Sequence, residues 1–188
     1  MGNCQKFLDA CGGTGSYSSI LRENSEIVVI DSSSRMLAKG RELYPEIEFI
    51  NHSVLNMLFA DDEFDGVLIQ ANLMYFSDSE RIMYLREIKR VTKPGSVIAI
   101  IDRSSKDFLY WYTLNLIKMD PFERKNDFMD QQSLTHLLKS SGLELNSFEG
   151  YYFSRPSLRR LFAPRRISLK ARFSPVRSNL LERIFKQF

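Results

Sequence analysis

The amino-acid sequence predicts an α/β fold. We expect a doubly wound, mostly parallel seven-stranded sheet with one antiparallel C-terminal strand and helices on both faces. Two observations lead to this prediction. Short apolar runs alternate with segments of helical periodicity over the first hundred residues, which is the pattern of βαβ units. A loop with three glycines follows the first apolar run, and such loops often connect a strand to a helix in these folds.

Five apolar runs in this region are predicted to be strands, because they are of strand length and several are rich in β-branched residues. They comprise residues 6–10, 27–31, 48–51, 65–71 and 96–102. Between the first three strands we predict a short helix that ends near Leu21 and a helix over 33–43. The second of these helices would begin at Ser32 or Ser33, since serine is a favoured N-cap residue.

The strongest helical pattern covers residues 77–91, with acidic residues in the first turn and basic residues in the last. Four apolar residues repeat along it at helical spacing: Ile82, Leu85, Ile88 and Val91. We expect Lys93-Pro94-Gly95 to end this helix, because proline and glycine interrupt regular structure.

The second half of the chain has a different pattern. We predict helices over 107–119, 130–142 and 178–188, and strands over 143–148 and 166–173. The last strand is expected to be antiparallel and half-buried, because apolar and polar residues alternate along it. No internal repeat and no low-complexity linker interrupts the sequence, which predicts a single domain over residues 1–188.

The composition is that of a globular protein, with 44% hydrophobic and 26% charged residues in 188. No apolar run reaches the roughly 18 residues that a membrane-spanning helix requires. The two cysteines, Cys4 and Cys11, form neither a disulfide framework nor a metal-ligand pattern. These features predict a cytoplasmic protein without a metal site.

The net charge of +3 is unevenly distributed. Residues 1–150 contain 16 basic and 22 acidic residues, whereas residues 151–188 contain 10 basic residues and one acidic residue. We expect this basic tail to be a solvated face, a site that recruits an anionic small molecule, or a peripheral contact with an anionic membrane surface, and charge alone would also allow nucleic acid. The interleaved strand and helix patterns over 166–188 favour a folded tail that completes the sheet.

The glycine loop is expected to bind a ligand through its backbone, because glycine has no Cβ to keep a ligand away. A phosphate-binding P-loop would need a lysine after the glycines, and none is present. A dinucleotide fingerprint would need a third glycine where Ser18 stands. Asp9, at the end of the first predicted strand, would repel a pyrophosphate, but its carboxylate could accept hydrogen bonds from an ammonium group.

Residues 9–15, DACGGTG, resemble the D-x-G-x-G-x-G signature of class I S-adenosylmethionine (SAM)-dependent methyltransferases. Three later segments resemble family motifs in the same order: IVVIDSSSRML, FADDEFDGVLIQANLMY and LREIKRVTKPGSVIAIID. The similarity spans roughly residues 6–103 and is closest to the small-molecule branch of the superfamily. It implies a Rossmann-like fold with a cofactor-binding half, 1–103, and an acceptor-side half, 104–188.

The resemblance implies S-adenosylmethionine as cofactor and S-adenosylhomocysteine as its product. In this family the acid that closes the second strand, here Asp31, binds both ribose hydroxyls; it could also cap the helix over 33–43. The residues implied to bind the cofactor are Asp9, Cys11, Gly12, Gly13, Gly15, Asp31, Ser32, Met36, Ser53, Val54 and Gln70.

Three features depart from the family pattern. Cys11 stands in place of the first motif glycine, where we expect a small buried side chain rather than a reactive thiol. Ser53 stands where an aspartate normally accepts the adenine amino proton, and Val54 could donate its backbone N–H to the ring. About five residues precede the first strand, where relatives have covering helices, which predicts a more open and weaker site or a lid built from elsewhere.

Methyl transfer from a sulfonium is an in-line displacement that depends mainly on positioning. The sequence contains no compelling general base; the candidates near the reaction are Tyr75, as a positioning group, and His136, more simply explained as a solvated residue. Residues 70–73, QANL, replace the motif of nucleic-acid amino-methyltransferases, so nucleic acid is disfavoured as a partner.

We therefore expect methyl transfer to a small-molecule or glycolipid-like acceptor, with the oligomeric state left open. The alternative is a weak or inactive binding module with the same fold.

Overall fold

The computed structural model of the chain describes residues 5–102, 129–150 and 167–172. Five parallel strands form the centre of the sheet, in the order β3-β2-β1-β4-β5. Their bounds are Gln5–Ala10 for β1, Ser25–Asp31 for β2, Glu48–Asn51 for β3, Phe64–Gln70 for β4 and Thr92–Ile101 for β5. This arrangement confirms the predicted α/β, Rossmann-like fold.

Two further strands lie beyond β5. Strand β6 covers Leu145–Gly150 and strand β7 covers Ile167–Arg172, and β7 pairs antiparallel with both β5 and β6. The order at this side of the sheet is β5-β7-β6. The helices that we predict over 107–119 and 178–188 lie outside the described residues.

Three α-helices are described: α1 Ser34–Leu43, α2 Asp78–Val91 and α3 Gln131–Ser140. Each begins after a side chain that accepts a hydrogen bond from a backbone N–H of the first turn. Ser33 caps α1 and Asp130 caps α3, while Ser77 and Glu80 form a capping box at α2. The N-cap expected at Ser32 or Ser33 is thus at Ser33.

The strands are buried on both faces, because successive side chains of a strand point to opposite sides of the sheet. Leu8 and Ala10 of β1 lie in a core cluster with Tyr84 and Leu85 of α2. Phe7 lies on the opposite face, in a second cluster with residues from β2, α1 and β3. Alternation along β1 therefore places Asp9 on the same side as Phe7.

The segment after the glycine loop is a 3₁₀ helix, Ser18–Asn24. It is longer than the short helix that we predict to end near Leu21, and it leads directly into β2. Its tighter winding fits a short connector of this kind, since 3₁₀ turns commonly link longer elements.

Lys93-Pro94-Gly95 does not separate α2 from β5, contrary to the prediction. Strand β5 begins at Thr92, immediately after α2. The pairing then steps from Phe64 opposite Thr92 to Gly66 opposite Val97, so the intervening residues of β5 form a bulge. Proline is tolerated there because a bulge does not require every N–H in the ladder.

The buried face of α2 also differs from its predicted stripe. Leu85, Ile88 and Val91 are fully buried as expected, but the fourth such residue is Tyr84, whereas Ile82 is only partly buried. A real helix has 3.6 residues per turn, so a stripe drawn in steps of three drifts away from the core.

Within the described ranges, the structure contains no helix with the length and apolar character needed to cross a membrane.

Candidate functional site

The carboxyl ends of the parallel strands form the edge at which the glycine loop lies. Backbone hydrogen bonds continue past the strand ends: Cys11 N donates to Ile30 O at 2.8 Å, and Ala71 N donates to Ile101 O at 2.8 Å. The order in which strands are added to the sheet reverses between β1 and β4, since β2 and β3 lie on one side of β1 and β4 on the other. Ligands of open α/β sheets bind at such a switch point.

The glycine loop has three residues in the left-handed region. The φ angles are 57° at Cys11, 57° at Gly13 and 71° at Gly15. The N–H of Gly15 donates to the carbonyl of Gly12 at 2.9 Å, which closes a tight turn. A Cβ on Gly15 would also stand 3.2 Å from the ring of Phe49, so both backbone conformation and packing favour glycine there.

Asp31 holds the loop through both carboxylate oxygens. Its Oδ2 accepts from Gly13 N at 3.0 Å, and its Oδ1 accepts from Ser33 N at 2.8 Å. The carboxylate is half-buried, and each oxygen retains further capacity to accept a hydrogen bond. Met36 lies beside the same turn, since a Cβ on Gly13 would stand 3.2 Å from Met36 Cε. The fold thus brings together Gly13, Asp31 and Met36, and it leaves Ser32 exposed at the same strand end.

Asp9 lies beneath the loop rather than on its surface. It is 2% exposed, and a Cβ built on Gly12 would stand 2.4 Å from its Cγ. Burial raises the pKa of the Asp9 carboxyl to about 6; the negative charge of Asp31 adds to this shift, and a hydrogen bond with Ser18 opposes it. Asp9 therefore supports the loop from below, in contact with Gly12.

Cys11 is partly buried at the start of the loop. Burial raises the pKa of its thiol to about 12, the charge of Asp31 acts in the same direction, and a hydrogen bond with Tyr84 opposes the shift. The thiol is therefore protonated at neutral pH, as a small buried side chain would be, and not a nucleophile.

The segment after β3 starts beside Asp31, because His52 N donates to Asp31 O at 3.2 Å. Ser53 is exposed, and its hydroxyl oxygen accepts from Leu55 N at 3.2 Å. Val54 is 3% exposed and its side chain belongs to the core, so the structure does not place that side chain where a ligand could contact it.

Arg90 and Glu87 of α2 form hydrogen bonds with residues 57–61, which continue this segment toward β4. Arg90 donates to the carbonyls of Phe59 at 2.8 Å and Met57 at 3.0 Å. Its guanidinium also pairs with Glu87 and Asp61, both at 2.8 Å, and Glu87 accepts from Met57 N at 2.8 Å. The hydrogen bonds to Glu87 and Asp61 raise the pKa of the Arg90 guanidinium. The hydrogen bond from Arg90 is in turn the main cause that lowers the pKa of the Glu87 carboxyl.

Gln70 is the last residue of β4 and is partly buried. Tyr75 lies in the 3₁₀ helix Leu73–Tyr75 that follows, and its side chain is 73% exposed. The buried Arg81 supports this turn by donating from Nε to Leu73 O at 2.8 Å. Tyr75 is therefore held on a fixed turn at the site edge, with its side chain open to solvent.

His136 lies on the exposed side of α3, with Gln132, Thr135 and Lys139 around it. Helix α3 packs against α2. Within the described part of the chain, no hydrogen bond or ion pair joins His136 to the glycine loop, so the structure does not bring this candidate together with Asp31 and Gly13.

Two residues that sequence reasoning did not select converge on the end of β1. Asn72 donates from Nδ2 to Ala10 O at 2.8 Å, and the Tyr84 hydroxyl donates to the same oxygen at 3.1 Å. The only indication in the sequence is that Asn72 is a polar residue between Ala71 and Leu73, directly after a buried strand. Tyr84 was hidden in the helical pattern of α2.

These features fit the S-adenosyl cofactor that the motif resemblance implies. The half-buried Asp31 has acceptor capacity for a ribose diol, and the loop that it contacts has no side chain at Gly12 or Gly13. The buried Asn72 Oδ1 has no hydrogen-bond partner, which is a feature found at functional sites.

Comparison with known proteins agrees with this fit. A family model described as a methyltransferase domain matches residues 7–95. The chain is 31% identical over 158 residues to a demethylmenaquinone methyltransferase of Streptomyces griseus, covering 73% of this chain and 68% of that protein. It is 29% identical over 165 residues to a ubiquinone/menaquinone biosynthesis C-methyltransferase of Haemophilus ducreyi, covering 82% of this chain and 58% of that protein.

A solved structure, the SAM-dependent methyltransferase of Aquifex aeolicus, has the same fold. Its TM-score is 0.66 at 17% identity, with 90% of this chain and 82% of that chain covered. The chain thus spans about three-fifths to two-thirds of the length of the two relatives matched by sequence.

Proposed function

Since the chain belongs to the class I SAM-dependent methyltransferases, we propose that it transfers the methyl group of S-adenosylmethionine to a small-molecule acceptor. The observation that carries this proposal is the contact between the Asp31 carboxylate and the glycine loop at the carboxyl edge of the sheet. The proposed cofactor would use both parts of this contact. Its ribose hydroxyls would donate to the carboxylate, and the rest of the ligand would lie along the glycine loop.

The residues of the site divide along the sheet. Asp31 would bind the ribose, with Ser32 and Met36 beside it. Ser53 and the Val54 backbone would contact the adenine on the β3 side. Cys11, Gly12, Gly13 and Gly15 would line the ligand, with Asp9 beneath them, and Gln70 would face the methionine portion on the β4 side.

The bound cofactor supplies a methyl group already activated on a sulfonium. The chain's own contribution is orientation for an in-line displacement, which can lower a barrier by about 7–11 kcal/mol. Tyr75 is proposed as a group that positions the acceptor, because it stands exposed on a fixed turn beside β4.

The relatives support a proposal for the acceptor class. One sequence relative is a ubiquinone/menaquinone biosynthesis C-methyltransferase and the other a demethylmenaquinone methyltransferase, which favours a quinol ring as acceptor. A glycolipid-like acceptor is the alternative, and the basic residues of 151–188 would suit an anionic example of it. We place acceptor binding in residues 104–188 and propose that β6 and β7 complete a seven-stranded sheet in the active protein.

A second candidate function is a binding module without turnover. It is favoured by Ser53, whose hydroxyl replaces a charged acceptor for adenine and already accepts from Leu55 N. Such a protein would bind the cofactor weakly and transfer nothing.

Calorimetric titration with S-adenosylhomocysteine tests cofactor binding. We expect Asp31→Ala to weaken binding by about tenfold or more, since one charge-assisted hydrogen bond is worth about 1.5–3 kcal/mol. Glu42→Ala is the control, because it removes an exposed carboxylate whose ion pair among the described residues is with Lys39. Absence of binding by the wild type, or equal binding by Asp31→Ala, contradicts the proposal.

Turnover distinguishes the two functions. The wild type is incubated with S-adenosylmethionine and either a demethylated naphthoquinol or an anionic glycolipid, and release of S-adenosylhomocysteine is measured. Release with either acceptor supports methyl transfer, whereas binding without release from a broad acceptor panel supports the binding module.

A further inference from the structure

The carbonyl of Ala10 receives two side-chain hydrogen bonds from distant parts of the chain. Asn72 Nδ2 lies at 2.8 Å and the Tyr84 hydroxyl at 3.1 Å, at sequence separations of 62 and 74 residues. Asn72 is 5% exposed and Tyr84 is 0% exposed. Buried hydrogen bonds of this kind hold their acceptor in one orientation, because water cannot replace either donor.

The hydrogen bond between Asn72 and the Ala10 carbonyl connects two turns that each contain a non-glycine residue in the left-handed region. Ala10 is followed by Cys11, whose φ is 57°, and Asn72 is preceded by Ala71, whose φ is 47°. A left-handed conformation is unfavourable for a non-glycine residue, and it persists only where surrounding contacts enforce it. The Asn72 amide joins these two turns directly, at the exits of β1 and β4.

Asn72 is not the residue that stability alone would favour. Its Oδ1 is buried without a hydrogen-bond partner. A buried acceptor without a partner is unfavourable, and an apolar side chain of similar size would not introduce one. The described contacts of this amide are the Ala10 carbonyl and the Tyr84 hydroxyl, which itself donates to the same carbonyl.

We infer that Asn72 and Tyr84 are positioning residues of the cofactor site, which fix the Ala10–Cys11 peptide and so the start of the glycine loop. This inference rests on the proposed function. The strand order β3-β2-β1-β4 places Asp31, and hence the ribose, on one side of β1 and Asn72 on the other. With the adenine on the β3 side, Asn72 and Tyr84 act where the amino-acid portion of the cofactor lies.

Two ligands separate this role from general stability. S-adenosylhomocysteine contains the amino-acid portion, whereas 5′-methylthioadenosine has only the adenosine and a methylthio group. Affinities for both are measured by calorimetry for the wild type, Tyr84→Phe and Asn72→Ala, together with the melting temperature of each unliganded protein. Thr92→Val is the matched control: Thr92 is 6% exposed and donates to Ile88 O at 2.5 Å, at the start of β5 and far from the site.

We expect Tyr84→Phe and Asn72→Ala each to bind S-adenosylhomocysteine about three- to tenfold more weakly, the size of one buried hydrogen bond. Binding of 5′-methylthioadenosine should change by less than about twofold, and Thr92→Val should change neither affinity beyond that margin. Equal weakening of both ligands, or no change in either, overturns the inference while leaving the proposed function intact.

Two further outcomes are decisive. A wild type that binds neither ligand contradicts the proposed function and the inference together. If Asn72→Ala does not fold, Tyr84→Phe decides alone, because it retains the ring and removes only the hydroxyl group, with its bonds to Ala10, Cys11 and Asn72.

Discussion

The Asp9 carboxylate lies directly against Gly12: a Cβ on that glycine would stand 2.4 Å from Asp9 Cγ and 2.5 Å from Asp9 Oδ2. Contacts this short do not occur between real atoms of these types, so the Asp9 carboxylate occupies the space that a Cβ on Gly12 would need. No positive φ is recorded for Gly12, which means that the carboxylate, and not the backbone, demands glycine at this position.

A double-mutant cycle should therefore couple these two residues. We expect Gly12→Ala to destabilise the protein by about 1–3 kcal/mol through overpacking, and to cost much less in an Asp9→Ala background. Gly13→Ala is the comparison, because its φ of 57° makes its cost one of backbone strain. Urea unfolding of the five proteins measures the coupling. A Gly12→Ala cost that Asp9→Ala does not relieve would show that the carboxylate is not the obstacle.

The stability of the unliganded protein should fall as pH rises through the titration of Asp9. The folded-state pKa of this carboxyl is about 6, above the unfolded value of 3.8, so the folded protein binds more protons between these values. Its contribution is fully present below about pH 4 and lost above about pH 6, with a total of roughly 3 kcal/mol.

The difference in unfolding free energy between wild type and Asp9→Asn measures this term, because other titrating groups cancel in the difference. We expect the unfolding free energy of Asp9→Asn to increase relative to that of the wild type from pH 4 to pH 7.5. A difference independent of pH would mean that Asp9 titrates alike in both states.

Gly40 should resist replacement although it lies inside α1. A Cβ there would stand 2.4 Å from Phe49 Cε1 and 3.0 Å from Thr14 O. Helix propensity alone predicts that Gly→Ala stabilises by about 1 kcal/mol, but we expect Gly40→Ala to destabilise by about 1–3 kcal/mol. Thermal unfolding checks the sign, and Ala38→Gly at an exposed position of α1 calibrates the propensity term. Stabilisation by Gly40→Ala would show that Phe49 moves aside freely.

Arg90→Lys should loosen the segment between β3 and β4. Lysine cannot reproduce the fork of donors that reaches Met57 O, Phe59 O and two carboxylates. We expect a loss of about 2 kcal/mol in unfolding free energy, compared with little change for Arg86→Lys on the exposed side of α2. Faster amide hydrogen exchange at Met57 should accompany it. Unchanged exchange at Met57 would assign the hold on this segment to its buried side chains instead.

Much of this protein could be predicted from sequence periodicity and motif order. The five parallel strands, the cap at Ser33 and the family follow from patterns that are local in the chain. Asp31 and Gly13 were predicted as members of one site because both belong to motifs at strand ends, and the structure brings them within 3.0 Å.

Other features escaped prediction for stated physical reasons. The bulge at Lys93-Pro94-Gly95 depends on the register with β4, which no local pattern records. The burial of Tyr84 escaped prediction because the apolar residues of α2 can be assigned to more than one face of the helix. Asp9 was predicted as a ligand contact, whereas its depth below Gly12 depends on how the 3₁₀ helix packs beneath the loop.

The sequence by itself determined the succession of strands and helices along the chain, the glycine loop and the acid that faces it, because side-chain periodicity and turn chemistry act over a few residues. Only the tertiary structure decided that Asn72 and Tyr84 share the carbonyl of Ala10 and that Arg90 holds Met57 and Phe59. These pairings depend on strand order, register and helix rotation, which bring together donors and acceptors that lie 31 to 74 residues apart.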